Sequence, residues 1–256
     1  MGSNNALIRV VDAFPELVSD LDPGRAELAR RHAVAAVETL APGIWEPDRA
    51  YRSEPGHLGL LVVEGLLTRD VTLGATVATE IVGRGDILRP SDHDGEFAPV
   101  PFGVRWTVLE PTRLAVLDRR FTAVVGQWPE AVEALIGSSI RRTRSLALHL
   151  AVCHLRRVDT RLHVLLWHLA DRWGRVEPGG VRVPMRLTHE TLGRLVGAQR
   201  PSVTTALRQL ADAGRVARTD DGGWLLHGQP PDLLERLRED AQQASDDEPA
   251  EAPTRP

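Results

Sequence analysis

Apolar residues recur along this chain at two spacings, helical and alternating, and each predicts its own kind of element. Between Leu187 and Asp212 the spacing is helical, in two short pieces. In the first, Leu192, Leu195 and Val196 fall at i, i+3 and i+4. Thr188 is placed to cap its start, and Glu190 sits in the first turn near the positive end of the helix dipole. Gly197 ends it. In the second, Val203, Ala206, Leu207 and Leu210 fall at i, i+3, i+4 and i+7, so one side must be buried. Pro201 fits there as a first-turn residue, whose missing N–H costs nothing. The other side carries Ser202, Thr205, Arg208 and Gln209, with Gln199 and Arg200 at the leading end, where free backbone N–H groups favour phosphate. Such donors and short hydroxyls can bond to base edges in the major groove or to phosphates, and a helix fits that groove. The pattern predicts a DNA-binding helix-turn-helix. Residues 215–218 and 224–227, joined through Asp221-Gly222, predict a hairpin wing from which Arg218 could reach phosphate.

Upstream the pattern changes twice. Residues 1–12 read as a loose arm, and residues 23–40 as a helix with Leu28, Val34, Val37 and Leu40 on its buried side. From 43 to 118, short apolar runs at 59–64, 66–71, 75–82 and 113–117 are separated by Gly, Pro and Asp, as antiparallel strands of a β-roll require. Residues 129–157 form the longest helical stretch. There Ile136, Ile140, Thr143, Ala147, Leu150 and His154 recur at alternating steps of four and three, the spacing of a two-helix seam. Leu135, Leu146, Leu148 and Leu155 make a second flank; Ser139 and Arg142 limit the seam's breadth, and a helix packed within its own subunit is the alternative. Residues 161–173 are helical with Leu162, Leu165, Leu166 and Leu169, and 181–183 form a short strand. A last helix over 232–238 precedes an acidic, Pro-rich tail expected to be disordered.

The order T-x-x-x-L-G-x-L-V-G followed by R-P-S-V-T-x-A-L-x-x-L, from Thr188 to Leu210, resembles the winged-helix DNA-binding domain of the Crp/Fnr family of transcriptional regulators. The resemblance implies DNA contact at Arg200, Ser202 and Arg208. Many members carry Glu where this chain has Pro201, so their half-site does not transfer. Val62-Val63-Glu64-Gly65-Leu66-Leu67, with Val82-Gly83-Arg84-Gly85-Asp86-Ile87-Leu88, resembles the same family's effector domain. Its cyclic-nucleotide sensors then present a Gly-Glu helix and an Arg-Ser pair. Here Gly95-Glu96 is followed by Pro99-Val100-Pro101, and Arg105 by Trp106, so the cassette is degenerate. Glu96 and Arg105 are the ligand candidates it leaves. Another small molecule, or none, fits better than cyclic AMP.

Composition alters this picture little, but charge sharpens it. The 256 residues allow two modest domains, and 42% hydrophobic content is ordinary for a globular protein. The net charge is −4, yet residues 156–228 hold twelve Arg against seven acids and residues from 232 onward hold eight acids against three Arg. The positive stretch is the one with the helix-turn-helix. Every cation of the Lys/Arg pair is Arg, which reflects base composition of the genome more than mechanism. Cys153 is the single cysteine, which rules out an internal disulfide and the family's iron-sulfur branch. No apolar run reaches the ~20 residues of a membrane span, and the opening residues lack a signal pattern, so a cytoplasmic location without membrane contact is expected. Asp92, His93, Asp94 and Glu96 could suggest a metal, as could His149 and Cys153 at i, i+4, but no paired His-x-His appears and a surface loop is the simpler reading. No nucleophile elbow, phosphate loop or dinucleotide glycine pattern is present, so no catalytic residue, metal or cofactor is expected.

The expected architecture is therefore α+β. Residues 1–128 make an effector-like β-roll, a cyclic-nucleotide-binding-like jelly roll with flanking helices. Residues 129–157 make a long dimerisation helix, 158–228 a winged helix-turn-helix, and 229–256 a short helix and tail. The expected function is a homodimeric, sequence-specific transcriptional regulator contacting double-stranded DNA through Thr188, His189, Gln199, Arg200, Ser202, Thr204, Thr205, Arg208 and Arg218. RNA polymerase is a further partner the resemblance implies, and a small-molecule effector stays open. Three alternatives remain: an effector-independent regulator with the β-roll as scaffold, a metal-dependent β-roll enzyme fused to a winged helix, and a winged helix that binds protein rather than DNA.

Overall fold

The computed structural model describes residues 6–47, 56–90 and 100–231, in two compact units, Met1–His154 and Leu155–Pro256. In the first unit, strands β1 (Leu7–Arg9), β2 (Val34–Leu40), β3 (Gly43–Trp45), β4 (Gly59–Leu73), β5 (Thr76–Gly83), β6 (Ile87–Leu88) and β7 (Gly103–Leu117) form one antiparallel sheet. Its order is β1-β2-β7-β4-β5, with β3 added to β7 and β6 to β4. The two long strands pair from Gly59 opposite Leu117 to Thr72 opposite Gly103.

Alternation along these strands builds two cores, as a period of two must when both faces are covered. Leu60, Val62 and Leu114 face one core, and that same core takes Leu67, Val82, Trp106 and Val108 from the far halves of the strands. Both ends of β4 thus feed one interior, so the sheet rolls over itself. The bend comes from register shifts between Val62 and Leu67, bulges that let a long strand turn. Gly65 lies there at φ +101°, and a Cβ on it would stand 2.3 Å from Thr112 Oγ1 and 2.6 Å from the Pro111 carbonyl. Leu61, Ala115 and Leu117 point the other way. They meet Phe14, Leu17, Ala29, Phe121, Trp128 and Leu135, contributed largely by short helices before and after the sheet: α1 (Val10–Ala13), a 3-10 turn (Pro15–Val18), α2 (Pro23–His32), α3 (Arg119–Val125) and the start of α4 (Pro129–Cys153). Burying each such leucine contributes about 1.5–3 kcal/mol of transfer free energy.

Several sequence expectations need correction here. The helix expected over 23–40 stops at His32, and Val34–Leu40 is a strand with β1 on one edge and β7 on the other. Leu28, Val34, Val37 and Leu40 fall by chance near a helical spacing, and long-range pairing overrode that weak local preference. Ala26 and Ala29 are buried on α2, whereas Leu28 and Val34 are exposed. The arm expected at the start is structured from Leu7, with Val10 and Val11 in the core. The strands expected at 59–64 and 66–71 are one strand across the Gly65 bulge, and 113–117 is only the end of β7.

Helix α4 is 25 residues long. Its inward residues tie it to the sheet: the Ser138 hydroxyl donates to the Gly85 carbonyl at 2.6 Å, and Arg142 forks onto the two Glu80 oxygens at 2.7 and 2.9 Å while a third N–H donates to the Ile87 carbonyl at 2.9 Å. The turn receiving them is held by Asp86, whose carboxylate accepts from the Gly83 amide at 2.9 Å. Every residue of the anticipated seam, Ile136, Ile140, Thr143, Ala147, Leu150 and His154, is exposed. Ile136 is 55% and Leu150 63% exposed, against 5% for Leu135 on the inward side.

In the second unit, α5 (Val158–Trp173) buries Leu162, Leu165, Leu166 and Leu169 as the sequence predicts. It begins at Val158, not 161, and α4 ends at Cys153, not 157. The Leu155 carbonyl, just past the end of α4, accepts from Arg161 Nε. Four strands, β8 (Arg175–Glu177), β9 (Gly180–Val183), β10 (Val216–Arg218) and β11 (Trp224–Leu226), form an antiparallel sheet in the order β10-β11-β9-β8. Between them lie α6 (His189–Val196) and α7 (Arg200–Asp212). The helix expected over 232–238 and the tail lie outside the described residues.

Candidate nucleic-acid interface

The two helices are set by local chemistry. The Thr188 hydroxyl caps α6 by accepting from the Thr191 amide at 3.1 Å, leaving it within 2.9 Å of the Thr191 hydroxyl. Gly197 closes α6 in the left-handed region at φ +62°, a conformation that glycine enters without strain. Arg161 on α5 then grips that end, its Nη1 donating to the Val196 carbonyl at 3.1 Å and the Gly197 carbonyl at 3.4 Å. A cation at these last carbonyls also suits the negative end of the helix dipole. The close turn between helices needs Gly193, because a Cβ there would stand 2.5 Å from the Ala198 carbonyl oxygen.

Helix α7 buries Val203, Ala206, Leu207 and Leu210 and starts with no side-chain cap. Its outer face presents Arg200, Ser202, Thr204, Thr205, Arg208 and Gln209, all exposed, with Gln199 exposed just before it. Thr204 is the most committed of them. Its hydroxyl donates to the Arg200 carbonyl at 3.0 Å and lies 2.9 Å from His189 Nδ1. Since that hydroxyl has one proton, the imidazole must donate from Nδ1, which directs Nε2 away from the pair. Partial burial, Arg218 and Arg200 together hold the His189 pKa below the usual imidazole value. His189, from the start of α6, and α7 are thereby joined across the groove between the helices.

The hairpin stands beside them. Asp221 in its turn accepts from the Thr219 hydroxyl at 2.6 Å and from Arg182 on β9, which with the Gly223 amide bring its pKa down to about 2. The wing is thus fastened to the neighbouring strand. Arg218 is exposed, lies with Cζ 4.4 Å from the Trp224 ring centre, and donates through Nη1 to the Leu187 carbonyl at 3.3 Å. Stacking holds this guanidinium at the wing's base rather than its tip.

All nine residues anticipated for this surface lie in one unit, on α6, α7, their flanks and the wing. The sequence did not single out Arg161 or Gly193, which order the pair from behind and would require knowledge of its tertiary contacts. The other candidates do not gather. Glu96, and the Asp92, His93 and Asp94 cluster with it, lie outside the described residues. Arg105 is exposed on β7, on the face opposite Val104 and Trp106. No three of His, Cys, Asp and Glu come together as a metal would require among the described residues, and no helix among them is long and apolar enough to cross a membrane.

Comparison with known proteins bears on the same elements. The family model described as the Crp-like helix-turn-helix domain matches residues 160–236. The CRP-like cAMP-activated global transcriptional regulator of Mycobacterium tuberculosis is 32% identical over 165 residues, 63% of this chain and 72% of that one. The regulatory protein CysR of Synechococcus elongatus is 33% identical over 116 residues, covering 44% of this chain and 54% of its own. Among solved structures, a cyclic nucleotide-binding domain containing protein from Listeria monocytogenes superimposes with a TM-score of 0.61 at 15% identity, over 85% of this chain and 97% of that one, a likeness of fold.

Proposed function

The chain belongs to the Crp/Fnr family of transcriptional regulators, and from that premise we propose that it acts as a homodimer whose two copies of α7 enter successive major grooves of a two-fold symmetric DNA site. The observation that carries this reading is the exposed polar face of α7 over a fully buried apolar stripe. Arg200 and Arg208 supply guanidinium forks suited to guanine edges and phosphates, and Ser202 and Thr205 supply short donors. Gln199 and the uncapped start of α7 favour a phosphate. Thr188, His189 and Thr204 line the approach from α6, and Arg218 meets the backbone beside the wing.

The uncovered face of α4 supports the dimer. Ile136, Ile140 and Leu150 are large, exposed and spaced for a second helix, and an apolar strip of this kind in a water-soluble chain calls for a partner. A second copy meets the spacing with its own identical strip. The β-roll then acts by favouring one of two arrangements of the dimer, and an effector shifts that balance. Cyclic AMP is not the effector assigned here, because Pro99 and Pro101 interrupt the segment that would hold its ribose and Arg105 does not stand beside the inward-facing Trp106. The protein works by binding, without a catalytic step, in the cytoplasm where its DNA and RNA polymerase are.

Anisotropy titrations of fluorescent duplexes with the wild-type protein and Arg200→Ala test the central contact. A base-reading Arg200 predicts a loss of about 1–3 kcal/mol on the preferred site, with one base position relaxed. Equal weakening on every duplex would reduce Arg200 to a phosphate contact, and no weakening would remove Arg200 from the interface.

A further inference from the structure

Around α6, α7 and the wing, Arg186, Arg200, Arg208, Arg215 and Arg218 are all exposed, and among the described residues none of them is paired with a carboxylate. Arg157 and Arg182 of the same unit are paired, with Asp159 and with Glu177 and Asp221. The opposite charge lies a short way down the sequence. Residues 239–251 carry Glu239, Asp240, Asp246, Asp247, Glu248 and Glu251 and no Arg. The chain leads towards that stretch from beside α7: the His227 amide donates to the Arg215 carbonyl at 2.9 Å, so the last strand is left near the C-terminal end of the helix. Arg208 stands about one turn before that end. The chain from Pro231 to Asp246 reaches at most about 50 Å extended, and about 35 Å were residues 232–238 helical, against about 20 Å for the whole length of α7.

We propose that the acidic stretch 239–251 docks on the arginine face of α7 in its own chain, and that a duplex must displace it to bind. This regulation rests on the reading of α7 as the DNA-contacting helix. Carboxylate and phosphate offer a guanidinium fork the same paired oxygens, so one face accepts either. Tethering brings the local concentration of the acidic stretch to about the millimolar range, where ion pairs that are individually weak fill the face together. A duplex presents a denser line of charge, about one phosphate per 1.7 Å of its axis, and competes for the same groups. Apparent DNA affinity is then that of the open face divided by one plus the closing constant of the tail. Both terms weaken with salt, so the tail flattens the salt dependence of DNA binding. Base preference is left unchanged, since every duplex meets the same closed fraction.

Two measurements on the full chain test this. The first titrates fluorescent duplexes with the wild type and with a variant carrying Asp246→Asn, Asp247→Asn, Glu248→Gln and Glu251→Gln. The variant should bind preferred and unrelated duplexes alike about threefold or more tightly at about 50 mM salt, and the two chains should converge towards about 0.5 M. The second uses the absence of lysine from the sequence. Arg208→Lys supplies one side-chain amine on α7, which a carbodiimide joins as an amide to a carboxylate in contact with it, and mass spectrometry locates the link. Arg175→Lys supplies the same amine on the exposed edge strand β8, two strands or about 10 Å from β11, as a reachable site off the face. Position 208 should couple to residues 246–251 of its own chain, position 175 much less, and excess duplex should suppress the coupling at 208. Equal duplex affinity of wild type and variant, coupling no greater at 208 than at 175, or coupling only between chains overturns the proposal. A rise in affinity without preferential coupling reduces the tail to repulsion at a distance and overturns it as well. Duplex binding that ignores the tail removes this inference alone, and coupling at 208 in a chain that binds no duplex removes the DNA reading of α7 and the regulation with it.

Discussion

In the N-terminal unit Arg142 is only 17% exposed, forks onto a carboxylate that is 10% exposed, and joins a helix to two strands. In the C-terminal unit Arg200 and Arg208 stand exposed on one helix over a stripe of leucine, valine and alanine. The same side chain serves opposite ends because its surroundings differ. A buried guanidinium must be matched within the chain, since an unmatched charge there is costly. An exposed one costs the fold little and leaves its N–H groups to a partner. Composition cannot tell these uses apart, and the overall charge of −4 conceals both.

The difference can be broken most strongly at Arg142. Arg142→Met leaves the buried Glu80 with only Arg69, 3.7 Å away, and should cost up to about 3–5 kcal/mol in urea unfolding, while Glu80→Gln added to it should recover much of the loss. Arg200→Ala in the same measurement should move stability by less than about 0.5 kcal/mol, as a surface change does. A comparable loss at both positions would erase the distinction.

A smaller effect is expected at Gly193, where packing and recognition meet. Gly193→Ala puts a methyl group 2.5 Å from the Ala198 carbonyl, so the helices must part, at about 1–3 kcal/mol. Duplex binding should fall with it, because α7 is then presented at another angle. Retained stability and binding would mean that the turn is more yielding than its geometry implies.

The smallest effect is that of pH on His189. Burial, Arg218 and Arg200 keep its pKa low, so the native chain holds this proton less tightly than the unfolded chain and loses stability as pH falls below the ordinary imidazole range. A phosphate beside it reverses the balance by favouring the charged form. Duplex affinity should therefore rise as pH falls from about 7.5 to about 5.5, by less than about tenfold per unit, the limit for uptake of one proton. The rise should vanish in His189→Gln. A rise unchanged in that variant would assign the proton to another group.

Legibility in the sequence followed the range of the interactions. Leu192, Leu195 and Val196, then Val203 to Leu210, betray their helices because each pattern lies within a few turns, and Thr188 and Gly197 mark ends by local hydrogen bonding. The exposed strip of α4 was readable for the same reason. Residues 34–40 were not, because what makes them a strand is pairing with residues near 115. Arg142 was noticed only as a break in the seam, its partner lying 62 residues away. The β-roll itself was legible as a succession of strands, but not the single bulged pair β4 and β7 that organises it.

The central claim is that two copies of α7 read one symmetric site. Selection of duplexes from a randomised pool by the full-length protein tests it most directly, with the stoichiometry of the selected complex measured alongside. The account predicts enrichment of an inverted repeat with half-site centres about one helical turn, 10–10.5 base pairs, apart or a multiple of it, bound by two chains. Enrichment of a single asymmetric site bound by one chain, or no enrichment under any effector, would contradict it.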